Sequence, residues 1–197
     1  MRWMVLAALL AANPVSAGEA FEGQGYLLSC GDEGCFVNSS GFDLFVPSDH
    51  GADMLAGLPL LAAVSIRGTL SEMGDSSAVL WLEEMVRLED DIYEGNLLSM
   101  QGTWRPLDDG DAVSIAVSGM EWIEMLHSEV QDRFMISAGE GCADGTVRNG
   151  MTVSLYRYGD DPSEDACWLL EQIDEDRMTL RDLRGDFGAV EWERVTD

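Results

Sequence analysis

The chain has 197 residues, 46% of them hydrophobic, and carries 37 Asp+Glu against 11 Lys+Arg for a net charge of −26. So acidic a surface repels phosphate backbones and anionic lipid, which excludes nucleic-acid binding and disfavours membrane surfaces. Every basic residue is arginine, so Schiff-base and lysine-base chemistry is excluded too, while the apolar content is ample for a packed core and excludes global disorder.

Residues 1–17, MRWMVLAALLAANPVSA, have the layout of a secretory signal peptide. Arg2 gives the positive start, Trp3 to Ala12 the short apolar run, and Val15-Ser16-Ala17 the small-residue cleavage pattern. The apolar run is about half of the ~20 residues that cross a bilayer, which speaks against a retained anchor. We expect a cut after Ala17, a mature chain from Gly18 and a periplasmic or secreted location. That mature chain holds 10 arginines against 37 acids, net −27, divided as −13 over 18–95 and −14 over 96–197. No later apolar run approaches spanning length.

The first half reads as short strands. Tyr26 to Ser29 and Phe36-Val37 flank the turn-like Cys30-Gly-Asp-Glu-Gly-Cys35, and Phe42, Leu44 and Val46 alternate at period two. Ser48 or Asp49 caps a predicted short helix through Leu58, which Pro59 stops. Val64, Ile66, Gly68 and Leu70 resume the alternation, Gly74-Asp75-Ser76 turns the chain, and Ala78 to Val86 returns. This order of elements is similar to an OB-fold barrel, which implies a small β-barrel domain over 18–90. Residues 89–95, Glu-Asp-Asp-Ile-Tyr-Glu-Gly, form an acidic connector. Its core, 91–95, is the expected linker to a second domain over 96–197.

The second half has one helical stretch, Asn96–Gln101, and then eight strand candidates. They are Thr103–Pro106, Ala112–Val117, Met120–His127, Val130–Ser137, Met151–Tyr158, Ala166–Ile173, Met178–Leu183 and Ala189–Val195. Turn signals between them (Asp109-Gly110-Asp111, Ser118-Gly119, Asp174-Glu175-Asp176, Gly185-Asp186) point to an up-and-down antiparallel barrel. The helical turn followed by Gly102-Thr103-Trp104, with Arg194 near the end of the last strand, resembles the lipocalins and their calycin relatives. That resemblance covers 96–197 and implies barrel closure by an arginine packed over the tryptophan of Gly-x-Trp. The stretch is shorter than a lipocalin barrel and lacks the helix beside it. The whole chain also resembles a family of exported bacterial proteins that share the Gln-Gly-x-Trp-Arg module. The fold class expected is mainly β, two small antiparallel barrels with one short helix in the first.

Four cysteines in an exported chain suggest disulfides, Cys30–Cys35 and Cys142–Cys167 by proximity, although sequence alone allows three pairings. The spacings of a CxxC redox pair and of paired zinc knuckles are both missing. His50 and His127 are the only histidines, too few for a histidine-rich metal site, and no Gly-x-Ser-x-Gly elbow supports a triad on His127. Asp108-Asp109-Gly110-Asp111, Gly159-Asp160-Asp161 and Asp174-Glu175-Asp176 offer carboxylates for Ca²⁺ or for a glycosidase pair. None has EF-hand spacing, and all read as solvated turn acids. Gly139 to Gly145 reads as a mobile loop tied down by Cys142. Trp81, Trp104, Trp122, Trp168, Trp192 and Phe134 fall on strand candidates and suit a filled barrel better than a ligand cavity.

The expectation is therefore an exported acidic binding or interaction protein with no catalytic residues, metal site or cofactor. Its expected partner is a basic extracytoplasmic protein. The alternatives are a carrier of a small apolar ligand inside the second barrel, and a hydrolase using Asp109, other acids or His127.

Overall fold

The computed structural model describes residues 18–108, 112–158, 163–185 and 188–196, with backbone alone at 147–148. The stretch 1–17 expected as a signal peptide, the acids of 109–111 and 159–161, and Asp186 lie outside the described residues. Among the described residues, thirteen strands form two closed barrels. No helix there is long and apolar enough to cross a membrane.

The first barrel contains β1 (Glu19–Gly31), β2 (Gly34–Ser39), β3 (Phe42–Pro47), β4 (Ala63–Ser71) and β5 (Ser77–Arg87). Its ring order is β1-β2-β3-β5-β4. Five strands cannot alternate in direction all the way round a ring, so one neighbouring pair has to be parallel. That pair is β3–β5, through Asp43↔Ser77, Leu44↔Ala78 and Phe45↔Val79. The barrel is therefore mixed rather than wholly antiparallel. Period-two alternation turns Val37, Leu44, Val46, Val64, Ile66 and Leu80 inward, each at most 1% exposed. Burying a side chain of this size contributes about 1.5–3 kcal/mol.

Two expectations change here. Strand β1 begins at Glu19, not Tyr26, because residues 19–26 pair with β4 while only 26–31 pair with β2. The helix expected up to Leu58 shrinks to a 3-10 turn, Ala52–Met54. Gly51 and Gly57, at φ +98° and +90°, bracket it and break helical geometry on both sides. Ala52 and Leu55 still plug the core from this turn.

Helix α1 (Glu94–Met100) leads into the second barrel: β6 (Gly102–Pro106), β7 (Val113–Ser118), β8 (Glu121–Leu126), β9 (Glu129–Gly141), β10 (Val147–Arg157), β11 (Glu164–Ile173), β12 (Arg177–Asp182) and β13 (Ala189–Arg194). Each strand pairs antiparallel with the next, and β13 returns to β6 to close the ring. Trp104, Ile115, Trp122, Phe134, Ile136, Val153, Leu155, Met178 and Leu180 meet in one buried cluster inside, covered at one end by Leu97 and Met100 of α1. Of the glycine-rich stretch expected as a loop over 139–145, Gly139 to Gly141 instead end β9, while Cys142 to Gly145 form the turn that the Cys142–Cys167 disulfide ties to β11. Thr152 holds the strand end by donating its hydroxyl to the carbonyls of Gly139 and Gly141 at 3.0 and 3.1 Å.

The two disulfides are Cys30–Cys35, across the β1–β2 hairpin, and Cys142–Cys167, from the β9–β10 connection to β11.

Candidate functional site

The expected closure residues lie at one end of the second barrel. Trp104 is fully buried and donates its indole N–H to the Met100 carbonyl at 2.8 Å. The Arg194 guanidinium carbon sits 4.1 Å from the Trp104 ring centroid. Its Nη1 and Nη2 donate to the carbonyls of Gln101 and Ser99, and its Nε to that of Glu175. One arginine thus satisfies carbonyls at the end of α1 and stacks on the core tryptophan. At Gly102 (φ +119°) a Cβ would stand 2.6 Å from Arg194 Nη1, so a side chain there would displace the guanidinium.

Other candidate groups are dispersed. His50 stacks on Trp81 at 4.9 Å on the outside of the first barrel and lies 2.7 Å from Asp49. Trp81, 46% exposed, therefore faces solvent and fills no interior. His127 occupies the β8–β9 turn at φ +51°, on the other barrel. Asp174 accepts the N–H groups of Asp176 and Arg177 at 3.0 and 2.8 Å. Those backbone bonds hold its carboxyl below the usual range.

Among the described residues, Cys142, Glu164 and Cys167 place possible ligand atoms within 4.8 Å of one another. The two sulfurs are already bonded together. The Glu164 carboxylate accepts the Ala143 N–H at 3.0 Å and Arg184 Nη2 at 2.9 Å, which makes it a buried strut for the disulfide loop.

The described residues with the most distinctive chemistry meet where the barrels touch. Along β1, Leu27 points into the first core, while Tyr26 and Leu28 pack against the second. Leu61, fully buried at φ +59°, joins the second core although it precedes β4 of the first. The connector is anchored as well. Arg87 pairs with Glu94 at 2.7 Å and donates to the Ala63 carbonyl at 2.7 Å, and Glu94 accepts the Ala63 N–H at 3.0 Å. Asp91 Oδ1 accepts the N–H groups of Tyr93 and Glu94 at 2.9 and 2.8 Å and the Tyr26 hydroxyl at 3.3 Å.

Three neighbouring hollows lie along this seam and beside the connector. One, of about 280 Å³, is bordered by Tyr26, Asn38, Asp91, Tyr93, Met120 and Glu140. A second, of about 370 Å³, shares Asn38 and Met120 and continues past Asp43, Glu121 and Tyr158. A third, of about 470 Å³, shares Tyr93 and Glu140 and reaches Ile92 and Asn96.

All four tyrosines of the chain lie along this junction. Tyr156 completes the set, since a Cβ on Gly41 (φ +80°) of the β2–β3 turn would stand 3.2 Å from its ring. Such rings suit a surface that is apolar beneath and wet above. Burial, then the Asp91 carboxylate, pushes the Tyr26 hydroxyl well above its ordinary value. Tyr93 moves up through burial and then Glu140. Tyr158 is pushed up to about 12 by burial, with Asp43 and Glu121 adding to it. The phenols therefore stay neutral, in a negative field, throughout the physiological range.

Sequence reasoning missed this groove. Its signal was the confinement of tyrosine to positions 26, 93, 156 and 158, one in β1, one in the connector and two at or just past the end of β10. No known family model, curated protein or solved structure matches the chain.

Proposed function

We propose that this chain is an exported, non-catalytic binding protein that captures a basic partner in the groove between its barrels. The observation that carries the reading is the groove itself, lined by tyrosines and carboxylates at a seam between two barrels whose interiors hold packed cores. A net charge of −26 attracts cations over the whole surface. Two disulfides favour an oxidising compartment, in keeping with a signal peptide over 1–17 cut after Ala17. We take the working units as an OB-like domain over 18–90, a linker over 91–95 and a lipocalin-like domain over 96–197. Gly102, Trp104 and Arg194 serve to close the second. The Trp104, Trp122 and Phe134 side chains inside that barrel favour surface recognition over carriage of a small apolar ligand.

Immobilised mature protein, exposed to periplasmic extract, tests the reading. Basic proteins should be retained at low ionic strength and released near 1 M salt, where the Debye length falls to about 3 Å. Retention should weaken when Glu140 and Glu121 are changed to Gln. Recovery of nothing, or of a salt-insensitive partner, overturns it.

A further inference from the structure

The 280 Å³ hollow is small for a protein surface and suits one side-chain-sized group. Two phenol rings, Tyr26 and Tyr93, border it together with the carboxylates of Asp91 and Glu140. Among the described residues that line it, none is basic, and the nearby Arg87 is already paired with Glu94. Among the described residues, the hydrogen bonds that Asp91 accepts fall on Oδ1, so Oδ2 keeps its acceptor capacity there. Exposed Glu140 lies at the rim, at the end of β9.

We infer that this pocket binds a primary alkylammonium group, presented by a lysine side chain of a partner or by a free polyamine. Rings beside carboxylates attract a cation through both the ring faces and direct charge pairing. A single available oxygen on Asp91 suits a compact ammonium, whereas a guanidinium fork prefers two oxygens side by side. The chain contains no lysine, so no side chain of its own or of a second copy can supply this group. This inference rests on the groove being the binding surface.

Calorimetric titration of the mature protein with spermidine, and separately with a lysine-bearing peptide, tests it. Saturable binding of one ammonium ligand per chain is expected for at least one of the two, and which one binds identifies the source. Tyr93→Leu and Glu140→Gln should each weaken binding about tenfold, a loss in the range of a partly desolvated cation–π contact. Tyr93→Phe should retain it. Glu129→Gln, at the opposite end of β9, removes the same charge and should change affinity less than twofold. Equal weakening by Glu129→Gln and Glu140→Gln overturns the pocket in favour of diffuse charge attraction. Absence of saturable binding by both probes overturns it as well. If basic proteins are still captured in a salt-sensitive way, that result leaves the broader reading standing and removes only the pocket.

Discussion

The two barrels close their rings by different means. The first has an odd number of strands and closes through a parallel seam, Asp43–Phe45 against Ser77–Val79. The second has an even number and closes antiparallel, Trp104–Pro106 against Trp192–Arg194. Both seams are short, so each needs help. In the first, the Asn38 amide bonds Asp43 at 3.0 Å and accepts the Gly41 N–H, which fixes the turn leading into β3. In the second, Arg194 reaches out of the seam to α1 and Glu175. The first seam is supported by local turn chemistry, whereas we propose that closure of the second depends on one long-range side chain. The second should therefore be the easier to open by a single substitution.

The largest expected effect tests this directly. Trp104→Ala should cost about 3–5 kcal/mol, as loss of a fully buried aromatic does, and also removes the stacking surface of Arg194. Denaturant unfolding followed by near-ultraviolet circular dichroism should show the loss in the second barrel while the first keeps its transition. A shared transition shifted as a whole would mean that Tyr26, Leu28 and Leu61 couple the barrels into one unit. Next come the disulfides. Chain-entropy arguments give about 3.5 kcal/mol for a 25-residue separation (Cys142–Cys167) and about 2 kcal/mol for a 5-residue one (Cys30–Cys35). Paired Cys→Ser variants should preserve that order; reversal would locate the weaker closure in the first barrel.

The smallest effect concerns the junction. A tyrosine pushed above its ordinary value stabilises the fold fully below pH 10, and that contribution fades as pH rises toward the folded value. For Tyr158 the window runs from about 10 to about 12, and Tyr26 extends it upward. Tyrosinate absorbance followed against pH should rise late, together with loosening of the junction. Titration of all four phenols near pH 10 would show that the rings are not enclosed there.

Much of this architecture was legible because it is local. The strands of the second barrel follow from period-two runs broken by Gly and Asp turns, and its helix from Asn96 to Gln101 is displaced by only two residues at its start. What escaped is what depends on distant residues. The first half of β1 lacks a clear apolar alternation and becomes a strand only by pairing with β4. The parallel seam follows from ring parity, which no local window contains. The groove unites Tyr26 with Asp91, 65 positions apart, and Leu61 leaves its own barrel because its backbone turns left-handed. Local patterns show which face of a strand is buried, but not which neighbour buries it.

The seam between β6 and β13 has one more consequence. Thr103 accepts the Val195 N–H at 2.9 Å, so the backbone arrives at the second barrel and leaves it at the same point. In the first barrel the outermost strands in sequence, β1 and β5, are not ring neighbours. Only the second barrel therefore has the topology for circular permutation. A short bridge across its ends, with new termini at the β8–β9 turn of His127 and Ser128, would leave every strand pairing in place. The same adjacency would let it be spliced into a surface hairpin of another protein.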